Sequence, residues 1–142
     1  MPARRAAVSW RSGLEAKTAE DLTSRGVPFR YEEVKLRYIQ PETPHTYTPD
    51  FILPNGVIVE TKGLFDVDDR KKHAWLKGQH PDLDVRFVFS RSKSPLRKGA
   101  KSTYADWCLK NGFQFADKSI PQAWIDEPAD ERRLAAIDVA SA

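Results

Sequence analysis

The chain has little that would tie it to a membrane or to an oxidising environment. Its 142 residues include one cysteine, Cys108, which excludes an intrachain disulfide and suits a reducing compartment. No apolar run approaches the roughly 20 residues of a membrane-spanning helix, and the N-terminus lacks the apolar core of a signal peptide. Repeats and low-complexity tracts are also absent. The sequence therefore predicts a soluble, cytoplasmic protein with one domain and a hydrophobic core.

Positive charge is concentrated in one part of the chain. The net charge is +3, and the residues from Asp126 onward carry −3, so the first 125 residues carry +6. Between Asp84 and Asp106 there is no acid, and six residues are basic: Arg86, Arg91, Lys93, Arg97, Lys98 and Lys101. Such a stretch either binds a polyanion, which its field attracts over long range, or forms a solvated basic loop. Charge alone does not separate these two interpretations.

Residue patterns predict an α/β fold in the order helix, strand, hairpin, helix, strand, helix. We expect helices over about 12–25, 66–77 and 103–110, with a further helical turn at 122–125. Strands are expected over 29–39 and 85–90, with a short edge strand near 113–115. The segment 40–48 contains two prolines and is expected to be an extended connector. The acidic tail after Pro128 is either a frayed helix or disordered.

An Asp, a Glu and a Lys fall on one predicted hairpin, which turns at Asn55-Gly56 between two β-rich runs. Asp50 precedes the first strand, and Glu60 and Lys62 continue the second. Because side chains alternate faces along a strand, Glu60 and Lys62 point to the same side and Thr61 points away. The hairpin is therefore expected to bring two carboxylates and one ammonium group together.

This group of side chains is typical of metal-dependent nucleases. Asp50 and Glu60 supply the hard oxygen ligands that Mg²⁺ or Mn²⁺ prefers, and the backbone carbonyl of Thr61 is a candidate further ligand. A bound cation acidifies water and offsets the charge that develops on a phosphoryl group. Lys62 would then lie beside the attacked phosphate, where it orients the water or stabilises negative charge.

The same three residues have a second interpretation, a weak surface ion pair on a solvated hairpin. Taken alone, the pattern favours this second interpretation, because its spacing is common. The apolar residues on both strands favour a buried hairpin instead, in which clustered carboxylates need a counter-ion.

Other candidate residues have structural explanations. Glu15 lies three residues after Ser12, which fits a capping box that closes on the amide of Ser12. His73 is expected on the surface of the second helix, and none of the three histidines shows metal-ligand spacing. Cys108 lies on a predicted core stripe and is expected to be a buried structural thiol.

Several unusual strings occur together in this chain: RSGLE at 11–15, HTYTPDF at 45–51, LPNG at 53–56, VETKGL at 59–64, DDRKKH at 68–73, QHP at 79–81, FADK at 115–118 and IP at 120–121. With these strings the chain resembles the phage T-seven endonuclease I family over about residues 9–128. Members of that family are Holliday-junction-resolving nucleases with a restriction-endonuclease-like fold. The resemblance implies a catalytic set of Glu15, Asp50, Glu60 and Lys62, with Glu15 also a metal ligand.

The resemblance further implies a mixed β-sheet flanked by helices in a domain-swapped homodimer. In this chain the swapped element would be about 11–39, the bridge about 40–47 and the body about 48–128, with a basic arm at 1–10 and the acidic tail at 129–142. Each site would then combine Glu15 of one chain with Asp50, Glu60 and Lys62 of the other. The two prolines would stiffen the bridge against folding back.

The resemblance also implies a Mg²⁺-dependent endonuclease, with Mn²⁺ as a substitute, that resolves four-way junctions and other branched DNA in the host-cell cytoplasm. Two sites related by a two-fold axis would match the approximate symmetry of a four-way junction, so shape would matter more than base sequence. The candidate DNA-contact residues are Arg4, Arg5, Arg11, Arg70, Lys71, Lys72, Arg91, Lys93, Arg97, Lys98 and Lys101. The alternatives are a less selective DNase that degrades host DNA and a catalytically silent junction-binding protein.

Overall fold

A five-stranded mixed sheet forms the centre of the computed structural model, which describes residues 10–142. The elements are α1 (Gly13–Ser24), β1 (Arg30–Tyr31), β2 (Leu36–Gln40), β3 (Thr43–Tyr47), β4 (Phe51–Ile52), β5 (Ile58–Lys62), α2 (Val67–Gln79), β6 (Val85–Phe89), α3 (Tyr104–Asn111), β7 (Phe115–Asp117), α4 (Gln122–Asp126) and α5 (Glu131–Ser141). The strand order is β1-β4-β5-β6-β7, and β2 and β3 form a separate two-stranded sheet. The predicted α/β class with a mixed sheet and flanking helices is confirmed.

The central position of β5 explains why the fold can hold a site there. β5 pairs antiparallel with β4 and parallel with β6, so both of its edges are hydrogen-bonded. Its side chains alternate between two cores: Ile58 packs with residues of α2, α3 and α5, and Val59 packs with residues of α1 and α4. Residues that continue β5 are therefore fixed in direction by packing on both faces.

The expected long strand over 29–39 is wrong. The chain breaks after β1 at Glu32, whose φ of 51° lies in the left-handed region that such residues rarely adopt. β2 then leaves the main sheet and pairs antiparallel with β3, from Leu36 opposite Tyr47 to Gln40 opposite Thr43. The buried side chains of β2, Leu36 and Tyr38, pack in the same core as α2, and this long-range packing explains the break.

The expected open connector over 40–48 is also different in the structure, because its residues form the return strand of the β2–β3 hairpin. Pro41 and Glu42 form the two-residue turn, and Glu42 has a φ of 76°. Proline suits the first central position of a turn whose second position has positive φ. The proline that was expected to prevent folding back therefore occupies the turn itself.

Side-chain caps begin the first three helices. The side chain of Ser12 accepts a hydrogen bond from the Glu15 amide at the start of α1. Capping boxes open α2, through Asp66 and Asp69, and α3, through Thr103 and Asp106. The predicted helical turn after Pro121 is α4, and the edge strand is β7. Along the described residues no helix is long and apolar enough to cross a membrane.

Of the two alternatives for the tail, the structure has a helix, α5, whose Ile137 and Ala140 are buried. A cluster of ion pairs ties it to the sheet: Arg86 binds Asp84 and Glu127, and Arg133 binds the same two carboxylates. Hydrogen bonding to Arg86 lowers the pKa of Glu127 to about 2. Arg86 is only 2% exposed, so this member of the predicted basic stretch is unable to contact DNA.

Cys108 packs in the interior of α3, as expected for a structural thiol. It is fully buried, and burial raises the pKa of its thiol to about 12. The thiol is therefore protonated at neutral pH and has no nucleophilic role.

Candidate active site

The predicted hairpin between residues 50 and 62 is confirmed, and its loop sets the register of the site. The amide of Leu53 donates to the carbonyl of Val57 at 2.9 Å, which leaves a three-residue loop at 54–56. Gly56 has a φ of 94°, as such loops require at their last position. Phe51 faces Val59 across the strands, so the residue before Phe51 lies beside the end of β5.

Asp50 is the carboxylate at this position, and it is 6% exposed. Its Oδ2 accepts hydrogen bonds from the amide and the hydroxyl of Thr61, at 2.9 and 3.0 Å. Two donors from β5 thus fix the Asp50 side chain. The predicted role of Thr61 as a carbonyl ligand stays a prediction, while its amide and hydroxyl are shown to orient Asp50.

Glu60 lies on the face of β5 opposite to the Thr61 side chain and is 4% exposed. The Tyr47 hydroxyl donates a hydrogen bond to its Oε2. Burial raises the pKa of Glu60 well above its ordinary value, and the neighbouring charge of Asp50 raises it further, while Lys62 and Tyr47 oppose both. Burial and the second carboxylate thus both disfavour the charged form of Glu60.

Lys62 ends β5 on the same side as Glu60, as the alternation predicted. Its ammonium group lowers the pKa of Glu60 through its charge, which places the two groups in one electrostatic environment. Its Nζ donates to Oδ1 of Asp69 at 3.3 Å, and its side chain is 18% exposed. The side chain is thus partly buried and already oriented by an acidic partner.

A second set of carboxylates reaches Asp50 from the N-terminal part of the chain. Glu15, Glu32 and Asp50 each place one carboxylate oxygen within 4.8 Å of the others. The Tyr31 hydroxyl donates to Oε1 of Glu15, and the amide of Arg11 donates to the same oxygen at 3.1 Å. Asp50 is therefore a member of this acidic cluster and also a neighbour of Glu60.

The capping-box interpretation of Glu15 is only half right. Ser12 caps α1 as expected, but the Glu15 carboxylate bonds to the amide of Arg11 and not to that of Ser12. This displacement by one residue lets the buried carboxylate face Asp50. Glu15 thus contacts the backbone at the start of α1 and also belongs to the acidic cluster.

Four residues of the site were missed at the sequence level: Glu32, Tyr31, Tyr47 and Asp69. Glu32 reaches the cluster through its left-handed backbone, and Tyr31 through the pairing of β1 with β4. No spacing rule reveals either contact, because both depend on distant strands. Tyr47 lies within the HTYTPDF string and Asp69 within DDRKKH. Both residues therefore belong to strings that carry the family resemblance, but the strings do not show that Tyr47 contacts Glu60 or that Asp69 contacts Lys62.

The expected surface position of His73 is wrong, because the side chain is fully buried. Its ring packs edge-on against Tyr47 and Phe87, with centroids 4.9 Å away in each case. Burial lowers the pKa of His73 well below its ordinary value, and the charges of Lys72 and Lys62 lower it further. A neutral imidazole therefore supports the tyrosine that holds Glu60.

The candidate DNA-contact residues fall into three groups. Arg4 and Arg5 lie outside the described residues. The exposed group comprises Arg11, Lys71, Arg91, Lys93, Arg97, Lys98 and Lys101. Arg70 is partly buried and donates to the carbonyl of Phe65 at 2.6 Å, so it braces the chain. Lys72 is also partly buried, with its Nζ 4.0 Å from Asp69 and 5.4 Å from the centre of the Tyr47 ring.

Most of the exposed group lies on the loop between β6 and α3, and this loop is anchored at its start. Asp117 at the end of β7 accepts hydrogen bonds from the amide and the hydroxyl of Ser92, at 2.6 and 2.8 Å. The start of the loop is thus fixed beside the carboxyl ends of β5 and β6, and the exposed lysine and arginine side chains follow it.

A mixed sheet whose central strands carry clustered carboxylates beside a lysine defines the class of protein as a nuclease. The whole chain agrees with this class: residues 2–141 match the phage endonuclease I family, and the chain belongs to it. It is 54% identical to Endonuclease I of Escherichia phage T7 over 123 residues, which cover 87% of this chain and 83% of that relative. It is also 54% identical over 123 residues to Endodeoxyribonuclease 1 of Enterobacteria phage T3, covering 87% and 81% of the two chains.

Proposed function

We propose that this chain is a structure-selective, divalent-metal-dependent DNA endonuclease that resolves four-way junctions and other branched DNA by paired phosphodiester hydrolysis. The observation that supports the proposal is that a carboxylate oxygen of Asp50 lies within 4.8 Å of those of Glu15 and Glu32, while Asp50 also borders Glu60, which shares β5 with Lys62. The two phage relatives, an endonuclease and an endodeoxyribonuclease by name, support DNA as the substrate. The host-cell cytoplasm is the proposed place of action.

The donor set fits a hard cation such as Mg²⁺, with Mn²⁺ as a substitute. Asp50 and Glu60 are buried carboxylates whose mutual repulsion a cation would relieve. In the proposal Asp50, Glu60, Glu15 and the Thr61 carbonyl hold the metal, and Glu32 adds a further carboxylate. The cation would supply Lewis-acid chemistry, acidifying water and offsetting charge on the phosphoryl oxygens.

Lys62 acts beside the metal ligands in this proposal. Its ammonium group has three donors, and the contact with Asp69 leaves donors for a phosphate oxygen and for the attacking water. Negative charge increases on the phosphate as water attacks, so a fixed cation at this position stabilises the transition state more than the ground state. Thr61 keeps Asp50 in place during the reaction through its two hydrogen bonds.

The proposal includes a domain-swapped homodimer in which residues 11–39 of one chain complete the site of the other. Support comes from the way the N-terminal part contacts the body: α1 packs near β5, and β1 pairs with β4 through two residues only. The β2–β3 hairpin links this part to the body, and opening its turn would carry α1 and β1 across to a partner with the same contacts.

Paired nicks would follow from the dimer's symmetry, because two sites related by a two-fold axis can engage two symmetric strands of a junction. Phosphate contacts from the exposed loop would position the junction without reading bases. Affinity should fall steeply with salt, since each neutralised phosphate releases about one counterion.

The test is nicking of a four-way junction beside a linear duplex of the same sequences, in Mg²⁺ at two salt concentrations, with Lys62→Ala as control. Junction-only nicking that the substitution abolishes supports the proposal. Equal cutting of both substrates identifies a less selective DNase, and binding without cutting identifies a silent junction-binding protein.

A mixing experiment tests the composite site. Glu15→Ala and Lys62→Ala chains are refolded together, and heterodimers are isolated with two affinity tags. In a swapped heterodimer one site lacks both residues and the other is intact, so nicking should return in part. Heterodimers that stay inactive would contradict the swap, because an unswapped pair has one defect in each site.

A further inference from the structure

Asp69 contacts the proposed catalytic lysine from the first turn of α2. Its Oδ1 lies 3.3 Å from Nζ of Lys62, and both side chains are mostly shielded, at 21% and 18% exposed. An ion pair in that setting is less screened by solvent than one on the open surface. The structure thus gives Lys62 a charged partner that belongs neither to the carboxylate cluster nor to a substrate.

The helix start fixes the Asp69 carboxylate. Its Oδ2 accepts the amide of Asp66 at 3.3 Å, while the Asp69 amide donates to Oδ1 of Asp66 at 2.9 Å. One carboxylate oxygen therefore closes the capping box, and the other contacts Lys62. Because the cap restrains the carboxylate, its second oxygen defines one location for the ammonium group.

A second lysine shares this oxygen. Nζ of Lys72 lies 4.0 Å from Oδ1 of Asp69 and 5.4 Å from the centre of the Tyr47 ring. Tyr47 in turn donates to Glu60. Asp69 thus lies between two like charges, Lys62 beside Glu60 and Lys72 beside Tyr47, and without its charge the two ammonium groups would repel each other.

We propose that Asp69 is a positioning residue that holds the Lys62 ammonium group beside Glu60 before DNA arrives. This inference rests on the proposed function, since Lys62 must act on the phosphate for its position to matter. A lysine side chain is flexible, and ordering it in advance removes that cost from the catalytic step. Loss of Asp69 should therefore lower kcat while KM changes little.

The test compares Asp69→Asn with two matched variants. Asp106→Asn makes the same change at the same capping-box position of α3, away from the site, and reports the effect of a weakened cap. Asp68→Asn removes an exposed negative charge from the same turn of α2 and reports the effect of charge alone. Steady-state nicking of a four-way junction gives kcat and KM for each variant, and thermal unfolding gives Tm.

We expect Asp69→Asn to lower kcat about 10- to 100-fold with KM unchanged within about twofold, while both matched variants keep wild-type kcat. Its Tm should fall as far as that of Asp106→Asn. Asp69→Glu, which keeps the charge and suits the cap, should recover most of the activity. A kcat for Asp69→Asn equal to that of Asp106→Asn would overturn the inference and leave Asp69 as a helix cap only.

Two further variants keep the result decisive. If Asp69→Asn does not fold, Asp69→Gln and Asp69→Glu replace it, because both suit the cap and differ only in charge. Activity in the Glu variant alone supports the inference, and equal activity overturns it. Lys62→Ala separates the two hypotheses: if it leaves nicking intact, the proposed function fails, whereas if it abolishes nicking and Asp69→Asn does not lower kcat, only the positioning role fails.

Discussion

Two halves of the candidate site reach Asp50 by different routes. One half is carried by β5, a central strand paired on both edges, which presents Glu60 and Lys62. The other half comes from α1 and the residue after β1, a two-residue edge strand, and presents Glu15 and Glu32. The β5 half is therefore set by the core of the sheet, whereas the N-terminal half is set by a few contacts at its edge.

In each half a tyrosine holds a glutamate by a hydrogen bond, and the two tyrosines differ in burial. A tyrosine hydroxyl donates to one glutamate in each: Tyr47 to Glu60 and Tyr31 to Glu15. Tyr47 is 3% exposed, whereas Tyr31 is only partly buried. Glu15 also accepts from the amide of Arg11, so it keeps a donor when the Tyr31 contact is lost, whereas Glu60 accepts from the buried Tyr47. The β5 half is therefore held by a buried tyrosine on a strand paired at both edges, and the N-terminal half by a half-buried tyrosine on a two-residue edge strand.

The largest expected effect is that of breaking the β5 half at its buried carboxylate. Glu60→Gln should lower nicking of a four-way junction by about 100- to 1,000-fold, because it removes a charge that faces Asp50 and the proposed cation. Junction binding, measured by gel shift, should persist. Glu20→Gln, an exposed position on α1, is the matched control and should nick at the wild-type rate. Unchanged nicking by Glu60→Gln would mean that the site has been assigned to the wrong residues.

The next effect compares the two tyrosines directly. Tyr47→Phe should lower the nicking rate about 10- to 100-fold, the range seen when the partner of a ligating group is removed. Tyr31→Phe should lower it less than about tenfold, since the amide of Arg11 still donates to Glu15. Single-turnover rates at saturating Mg²⁺ measure both. A larger loss in Tyr31→Phe would contradict this ranking of the two halves.

The contrast between the halves also explains what the sequence could reveal. Glu60 and Lys62 share a face because of the two-residue period of a strand, and Asn55-Gly56 identifies the turn; both are local signals. The same holds for Ser12 at the start of α1. The burial of Cys108 could be predicted for the same reason, because the apolar stripe that contains it lies within one helix.

The features that the sequence did not reveal depend on distant partners. Glu32 breaks the expected strand because β2 pairs with β3 and packs in the core with α2, far from it along the chain. In the sequence Arg86 looks like its basic neighbours, but in the structure it is buried between Glu127 and Asp84. These ion pairs are part of the cluster that holds α5 against the sheet. His73 follows three cations in sequence, yet its ring packs beneath Tyr47. Charge patterns alone do not report burial.

A smaller effect is expected from removing a carboxylate of the N-terminal half, and it tests whether Glu32 contributes to metal binding. Glu32→Gln should raise the Mg²⁺ concentration for half-maximal nicking about tenfold, because it removes one carboxylate from the cluster. Arg11→Gln removes the cationic partner of Glu32, which lies 3.4 Å away, and should not raise that concentration, because the lost positive charge competes with the metal for the cluster. Metal titrations of the nicking rate distinguish the two. Equal shifts in both variants would mean that Glu32 acts by holding Arg11.

The smallest effect on nicking is expected outside both halves, at the ion cluster that ties α5 to the sheet. Arg86→Met should lower the free energy of unfolding by about 3 kcal/mol, because it leaves two partly buried carboxylates with Arg133 as their remaining ion-pair partner. Nicking at neutral pH, well below the unfolding temperature, should stay within about twofold of wild type. Urea unfolding and nicking rates check the two parts. A large loss of nicking in the folded variant would connect the cluster to the site.

The same cluster has a defined pH dependence. The pKa of Glu127 is about 2 in the folded chain and about 4.3 in an unfolded one. A depressed folded pKa means that its stabilisation is complete above the unfolded value and is lost as the pH falls towards the folded value. The stability gap between wild type and Glu127→Gln should therefore narrow between about pH 4.3 and pH 2. A gap that is constant over this range would contradict the assignment.

The most direct test of the account asks whether the two halves act as one unit through Asp50. Nicking rates of Glu15→Gln, Glu60→Gln and the double variant are measured on one four-way junction. Residues that act as a unit lose no more together than the more damaging substitution loses alone. We predict that the double variant nicks at the rate of Glu60→Gln. A loss equal to the product of the two single losses would show that Glu15 and Glu60 act independently, and would contradict a shared site.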